Sequence, residues 1–264
     1  MDYYLSDKKA FVSGSTAGIG LAIATALAAE GAETIVNGRT SERVEQALNH
    51  IRNRVEGARV DGIAADLSGA QGTDQVIEAH PTVDILVNNL GIFNPSPFEE
   101  IPDAEWHRFF ETNVMSGVRL SRHYLPRMMA QNWGRIVFVS SESGLHIPAE
   151  MIHYGMTKTA QIAVARGLAE TTAGTHVTVN SVLPGPTSSE GVSGFVRKMA
   201  EEQGLSFEEM EKQFFRDIRP SSLLQRFSTP EEVANMVIYV CSPLSSATNG
   251  ASLRVDGGVV RSAT

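Results

Sequence analysis

From Lys9 onward, short runs of β-branched and apolar residues alternate with longer stretches of helical periodicity, and this alternation limits the fold more tightly than any single motif. The runs expected as strands are Lys9 to Ser13, Thr34 to Asn37, Ile63 to Ala65, Ile85 to Asn88, Arg135 to Ser140, Val177 to Val182 and Ala251 to Val255. Helical patterns lie between them at Gly18 to Glu30, Ser41 to Val55, Ala104 to Gln131, Tyr154 to Thr171 and Pro230 to Val240. Ile85-Leu86-Val87 and Ile136-Val137-Phe138-Val139 are apolar without alternation, as strands covered on both faces must be. A parallel sheet with helices on either side follows. The 264 residues contain no linker and no repeat, so one α/β domain over 1–264 is expected, a doubly wound Rossmann-type sheet of about seven strands.

Charge and cysteine content exclude several functions. A net charge of −8, with its cations scattered, offers no basic field for nucleic acid or anionic lipid. Cys241 is the only cysteine, which rules out an intrachain disulfide and a thiolate zinc cluster and points to a reducing compartment; no metal is expected. The start Met1 to Lys9 has no apolar leader core, and no run approaches the ~20 apolar residues of a membrane span. A cytoplasmic protein without membrane or nucleic acid partners is the expectation.

The first strand-to-helix turn carries Gly14, Gly18 and Gly20. Glycines allow a pyrophosphate to approach the backbone, and the helix N-terminus beyond supplies free N–H groups and a favourable dipole. The next strand ends Val36-Asn37-Gly38-Arg39, where a carboxylate would select NAD. Arg39 stands there instead, suited to a 2′-phosphate, so NADP(H) is favoured over NAD(H).

Tyr154 and Lys158 are one helical turn apart, so both point into the same space. A phenol with a pKa near ~10 is a poor acid-base group at neutral pH, and a nearby ammonium is expected to lower it. Ser141, thirteen residues before the tyrosine, adds a hydroxyl that can polarise the same carbonyl oxygen. His153 should diverge from Tyr154 by roughly 100° and belong to packing or surface.

These residues resemble the single-domain branch of the short-chain dehydrogenase/reductases, over nearly the whole chain. The family's T-G-x-x-x-G-I-G is similar to Ser13 to Gly20, which implies cofactor contacts from Gly14, Ser15, Thr16, Gly18, Ile19 and Gly20. Asp66 before Leu67 resembles the adenine-contacting pair, and Asn88-Asn89-Leu90-Gly91 the family's N-N-A-G, with leucine in place of alanine beside Asn89 and Gly91. Pro184-Gly185-Pro186-Thr187 and the hydroxyl of Ser189 resemble the segment under the nicotinamide. The helix-kinking asparagine corresponds to Asn113, which the resemblance implies organises a water in a proton relay with Ser141, Tyr154 and Lys158. It implies further that Tyr154 exchanges the proton while nicotinamide exchanges the hydride, that Lys158 holds the ribose, and that the protein is a homotetramer.

Substrate identity is expected in the loop after the serine, at Ser143 and His146, and in a lid at about 188–228. Val192, Phe195, Val196 and Met199 form one apolar stripe there, and Phe207, Met210, Phe214 and Ile218 another. With Phe195 and Phe214 as contacts, a small or medium apolar ketone, alcohol or acyl-CoA is the expected substrate. The alternative is 3-oxoacyl-[acyl-carrier-protein] reduction. Against it, Asn132 and Thr175 stand where the resemblance places carrier-docking arginines. A non-catalytic NADP-sensing module is a further alternative, disfavoured because a sensor does not need the serine, tyrosine and lysine. Epimerase or dehydratase chemistry is also disfavoured, because little chain follows Ser181 for a second domain.

Overall fold

In the computed structural model, which describes residues 2–263 apart from the side chains of Ser193, Phe195 and Lys198, seven strands lie side by side and all parallel. In chain order they are β1 (Lys9–Val12), β2 (Glu33–Gly38), β3 (Val60–Ala64), β4 (Ile85–Asn88), β5 (Gly134–Val139), β6 (Val177–Pro184) and β7 (Ser252–Val255). Across the sheet the order is β3-β2-β1-β4-β5-β6-β7. Winding reverses between β1 and β4, so the carboxyl ends of these strands open a crevice where such sheets bind ligands.

Successive side chains of a strand leave for opposite faces, and both faces here are covered. Ala10, Val12, Ile85, Val87, Val137 and Val139 pack on one side against α1 (Gly18–Ala29), α2 (Ser41–Arg54) and α9 (Pro230–Cys241). Phe11, Leu86, Ile136 and Phe138 pack on the other against α3 (Ala70–Ala79), α5 (Ser116–Ala130) and α6 (Ile152–Glu170). Each such valine, leucine, isoleucine or phenylalanine side chain contributes roughly 1.5–3 kcal/mol by leaving water. No described helix is long and apolar enough to cross a membrane.

Three elements differ from the sequence expectation. Strand β3 begins at Val60 rather than Ile63; it is an edge strand whose half-exposed residues, including the exposed Asp61, mask the pattern. Helix α3 was not anticipated: among its apolar residues only Val76 is a large buried side chain, and Gly69 before it gives no side-chain cap. The single helix expected over Ala104 to Gln131 is instead α4 (Asp103–Phe110), a π-helical turn at Glu111–Met115, and α5. The turn is where Asn113 sits, realising the kink that the family resemblance implied.

Two further helices, α7 (Glu190–Gln203) and α8 (Phe207–Asp217), follow β6 and share a small core of their own. Val196, Ala200, Met210, Phe214, Phe215 and Phe227 are buried there, with the three phenylalanine rings 5.1 to 5.2 Å apart.

Candidate active site

The turn after β1 is shaped by its glycines. Gly14 and Gly18 adopt left-handed backbone, at φ 61° and 54°. A Cβ on Gly20 would lie 2.4 Å from the Gly14 carbonyl oxygen and 2.5 Å from Asn89 Nδ2, so no side chain fits. Asn89 Nδ2 ties the turn down by donating to the carbonyls of Ser13 at 3.0 Å and Gly14 at 2.9 Å, and Gly14 N donates to Asn37 Oδ1 at 3.1 Å.

Helix α1 begins after Ala17, which gives no side-chain cap, and has no acid in its first turn. A bare helix N-terminus over a tight glycine turn fits a dinucleotide pyrophosphate. Ser189 reaches this turn from α7: its Cβ is 3.0 Å from where a Cβ on Gly18 would stand.

Two of the expected contact residues have buried side chains. Ser15 is fully buried, with its hydroxyl donating to Val12 O at 2.7 Å and accepting from Asn37 N at 2.9 Å. Leu67 is buried in the core beneath the sheet, so its side chain faces away from the cleft. Arg39 and Asp66 stand exposed after β2 and β3, and Thr16 packs against Gly38 at the end of β2. Leu90, where alanine was expected, folds over Gly14.

Beyond the ends of β4, β5 and β6 lies a cavity of about 640 Å³. Ile19, Asn89, Gly91, Pro184, Gly185, Thr187 and Ser189 line it together with Ser141, Tyr154 and Lys158. Two contacts bring the serine loop onto α6: Ser140 Oγ donates to Lys158 O at 2.8 Å, and Thr159 Oγ1 to Gly144 O at 2.8 Å. Gly155 permits this approach, since a Cβ there would meet Ser143 O at 3.1 Å and the Ile147 side chain at 2.7 Å. Ser141 also caps the short turn at Glu142–Gly144, accepting from Ser143 N at 3.1 Å.

The electrostatics differ from the expectation that Lys158 lowers the tyrosine. Burial pushes the Tyr154 phenol up to about 12, opposed by a hydrogen bond with Ser141; the Glu142 charge raises it and Arg219 lowers it. Burial brings Lys158 down to about 7. Its Nζ donates to Val139 O and to Gln161 Oε1, both at 3.0 Å, and lies 5.6 Å from the Tyr154 ring centre. The ammonium is thus committed to backbone and amide rather than to the phenol, which stays protonated at neutral pH.

Asn113 belongs to the same network. Its side chain is held by Ile92, accepting from N at 2.8 Å and donating to O at 3.0 Å, and donates to Thr157 Oγ1 at 3.0 Å. Its backbone carbonyl accepts from Gln161 Nε2 at 2.6 Å. Gln161, 1% exposed, therefore links Asn113 directly to Lys158. Sequence reading passed over Gln161; its position one further turn along the tyrosine-lysine face is the signal that could have found it.

The cavity wall is mainly apolar but carries charges: Ile92, Phe93, Met151, Val192, Phe214 and Ile218 line it together with Glu142, Ser143, Glu150, Asp217 and Arg219. Ser143 and Phe214, expected as substrate contacts, line the cavity. His146 is exposed and stands outside the lining, and Phe207 is exposed rather than packed. The side chain of Phe195 lies outside the described residues. His153 is packing, as expected, with its ring 4.1 Å from Phe109 and 5.9 Å from Trp106.

Comparison with known proteins matches residues 8–201 to the family described as short chain dehydrogenase. An uncharacterized oxidoreductase of Bacillus subtilis, YvaG, is 48% identical over 99% of each chain. A 3-oxoacyl-[acyl-carrier-protein] reductase of Aquifex aeolicus is 32% identical over 98% of this chain and all of its own. Among solved structures, L-sorbose reductase from Gluconobacter frateurii, complexed with NADPH and L-sorbose, superposes with a TM-score of 0.92 at 29% identity, covering 99% of this chain and 100% of that one.

Proposed function

The chain belongs to the short chain dehydrogenase family, whose members are NAD(P)-dependent oxidoreductases acting between CH–OH and C=O groups, and from that premise we propose that it reduces a small carbonyl compound with NADP(H), using Tyr154 as the proton donor. The carrying observation is the meeting of Ser141, Tyr154 and Lys158 in one cavity that runs to the bare N-terminus of α1. Tyr154, kept protonated by burial, gives its proton to the carbonyl oxygen, and Ser141 holds that oxygen in place. Bound along the cleft, the nicotinamide supplies the hydride. Gly14, Gly18, Ile19, Gly20 and Asn89 would hold its pyrophosphate side, and Gly91, Lys158, Pro184, Gly185 and Thr187 its ribose and ring.

Arg39 supports the NADP(H) preference, and Arg43 on the first turn of α2 adds a second guanidinium at the same end of the cleft, paired at 2.9 Å with Glu190 of α7. The NADPH in the sorbose reductase structure agrees with this choice. The α7–α8 segment serves as a lid over the substrate, since Val192, Phe214 and Ile218 join both its own core and the cavity wall. Reduction of a carrier-bound 3-oxoacyl group is the second reading, favoured by the Aquifex relative. Against it, Asn132 offers no charge to an acidic carrier; it pairs with the His176 ring at 3.1 Å. A cytoplasmic homotetramer is the setting we propose, and sedimentation tests its size.

The test is turnover of a ketone panel with NADPH and NADH followed separately. Oxidation of NADPH that Tyr154→Phe abolishes supports the reading. Tight NADPH binding without turnover of any ketone would sink it in favour of a sensor.

A further inference from the structure

Glu142 directly follows Ser141 in the cavity lining, and the residue is only 3% exposed. One oxygen, Oε1, accepts from Arg219 Nε at 3.2 Å and from Ser143 Oγ at 3.1 Å. The other, Oε2, is buried and has no partner among the described residues. Arg219 is itself 6% exposed and arrives from 77 positions along the chain, just beyond α8. Its Nη1 donates to Glu150 Oε1 and Ile218 O, each at 3.0 Å. Glu142, Ser143, Glu150 and Arg219 all line the cavity that holds Ser141 and Tyr154.

A buried carboxylate oxygen without a donor carries its full desolvation cost. Burial has already pushed the Glu142 carboxyl above its ordinary value, against the pull of Arg219. An apolar substrate would leave this oxygen dry and unpaired. A substrate hydroxyl would donate to it, and the Glu142 and Arg219 charges both act on the Tyr154 phenol, so that hydroxyl would lie close to the reacting carbonyl. Two carboxylates share the one guanidinium, so Arg219 has no charge left over for a substrate carboxylate or phosphate.

We propose that Glu142 Oε2 is the acceptor for a substrate hydroxyl, and that the substrate is an uncharged hydroxylated ketone rather than a plain apolar one. The proposal rests on the carbonyl reduction argued above and narrows its substrate class. The chain leaving α8 contributes to the same recognition, because it delivers Arg219, which fixes Glu142 Oε1, while Oε2 is the unpaired acceptor.

The test compares ketones that share a carbon skeleton, erythrulose against 2-butanone and fructose against 2-hexanone, following NADPH. The expected result is a kcat/KM at least ~30-fold higher for the hydroxylated member of each pair, since a hydrogen bond to a charged group discriminates strongly. Glu142→Leu should collapse that ratio at least ~10-fold, and Glu142→Gln, which keeps an acceptor oxygen, should retain part of it. Equal rates within a pair, or a ratio that survives Glu142→Leu, would overturn the proposal.

Binding is read separately by calorimetric titration of NADPH-saturated Tyr154→Phe with the same ketones. Tighter binding of the hydroxylated member, lost when Glu142→Leu is added, upholds the proposal even without turnover in the parent protein, and in that case only the oxidoreductase reading fails. Equal binding, or none, overturns it. Circular dichroism of each variant separates misfolding from lost recognition, and the Gln variant keeps the test open if the Leu variant does not fold.

Discussion

Gln161 holds Lys158 by a single amide: Oε1 accepts from Nζ at 3.0 Å while Nε2 donates to the Asn113 carbonyl at 2.6 Å. The ammonium at the cofactor cleft is thereby tied to the π-helical turn that interrupts the α4–α5 helical run. An amide can do this because it carries donor and acceptor on one rigid plane.

Gln161→Leu keeps the volume but strips both partners, leaving a buried carbonyl and a buried ammonium short of a bond. The expected stability loss is about 1–3 kcal/mol, read as a lower denaturant midpoint. A merely structural role would end there. A positioning role predicts more: Gln161→Glu places a carboxylate beside Lys158, so the pH limb that Lys158 imposes on kcat/KM should move upward by about one unit or more. An unmoved limb would refute that role.

The pH profile of reduction follows from the two values at the site. Tyr154, raised to about 12, stays protonated across the neutral range and imposes no limb there. Lys158, lowered to about 7, loses its positive charge as pH rises through that value. Log kcat/KM for reduction is therefore expected to fall above about pH 7, and Lys158→Met should be slower and flat over the same range. A limb in that region that persists in Lys158→Met would assign it elsewhere.

Cofactor binding should fail at Gly20 before it fails at any exposed glycine. The added Cβ of Gly20→Ala meets the Gly14 carbonyl at 2.4 Å and Asn89 Nδ2 at 2.5 Å, and neither is free to move, because each holds the turn. NADPH affinity should drop at least ~10-fold by fluorescence titration. Gly57→Ala, with open space around its Cβ position but a φ of 71°, should cost a little stability and leave NADPH affinity intact.

Arg39→Ala isolates the phosphate preference. Loss of one charge-assisted contact should weaken NADPH by about 10-fold or more while NADH changes little. Equal weakening of both cofactors would remove Arg39 as the selector and move attention to Arg43.

Cys241 should be silent to thiol reagents in the native protein. It is fully buried in the core against α1, and burial pushes its thiol up to about 12, so thiolate is scarce and access closed. Labelling by a chromogenic disulfide should appear only with guanidinium and track unfolding. Fast native labelling would contradict the packing of α9.

Much of this protein was legible in the chain. Ile85 to Val87 and Ile136 to Val139 require a strand covered on both faces, because an unpaired polar residue there would be stranded in a core. The same holds for the tyrosine-lysine pair, whose spacing alone sets a common face of α6. Periodicity failed where burial is shallow, at the edge strand β3 and at the short helix α3, because half-exposed residues need not be apolar.

What only tertiary structure decided is the chemistry between distant positions. Glu142 reads in sequence as a polar residue in a loop; it becomes a buried acceptor because Arg219 is folded over it. The protonation of Tyr154 and Lys158 likewise departs from what their spacing implied. Spacing along a helix fixes direction, whereas desolvation and hydrogen bonding depend on every group that closes around the site, and those groups come from β5, the π-helical turn, α6 and the segment after α8.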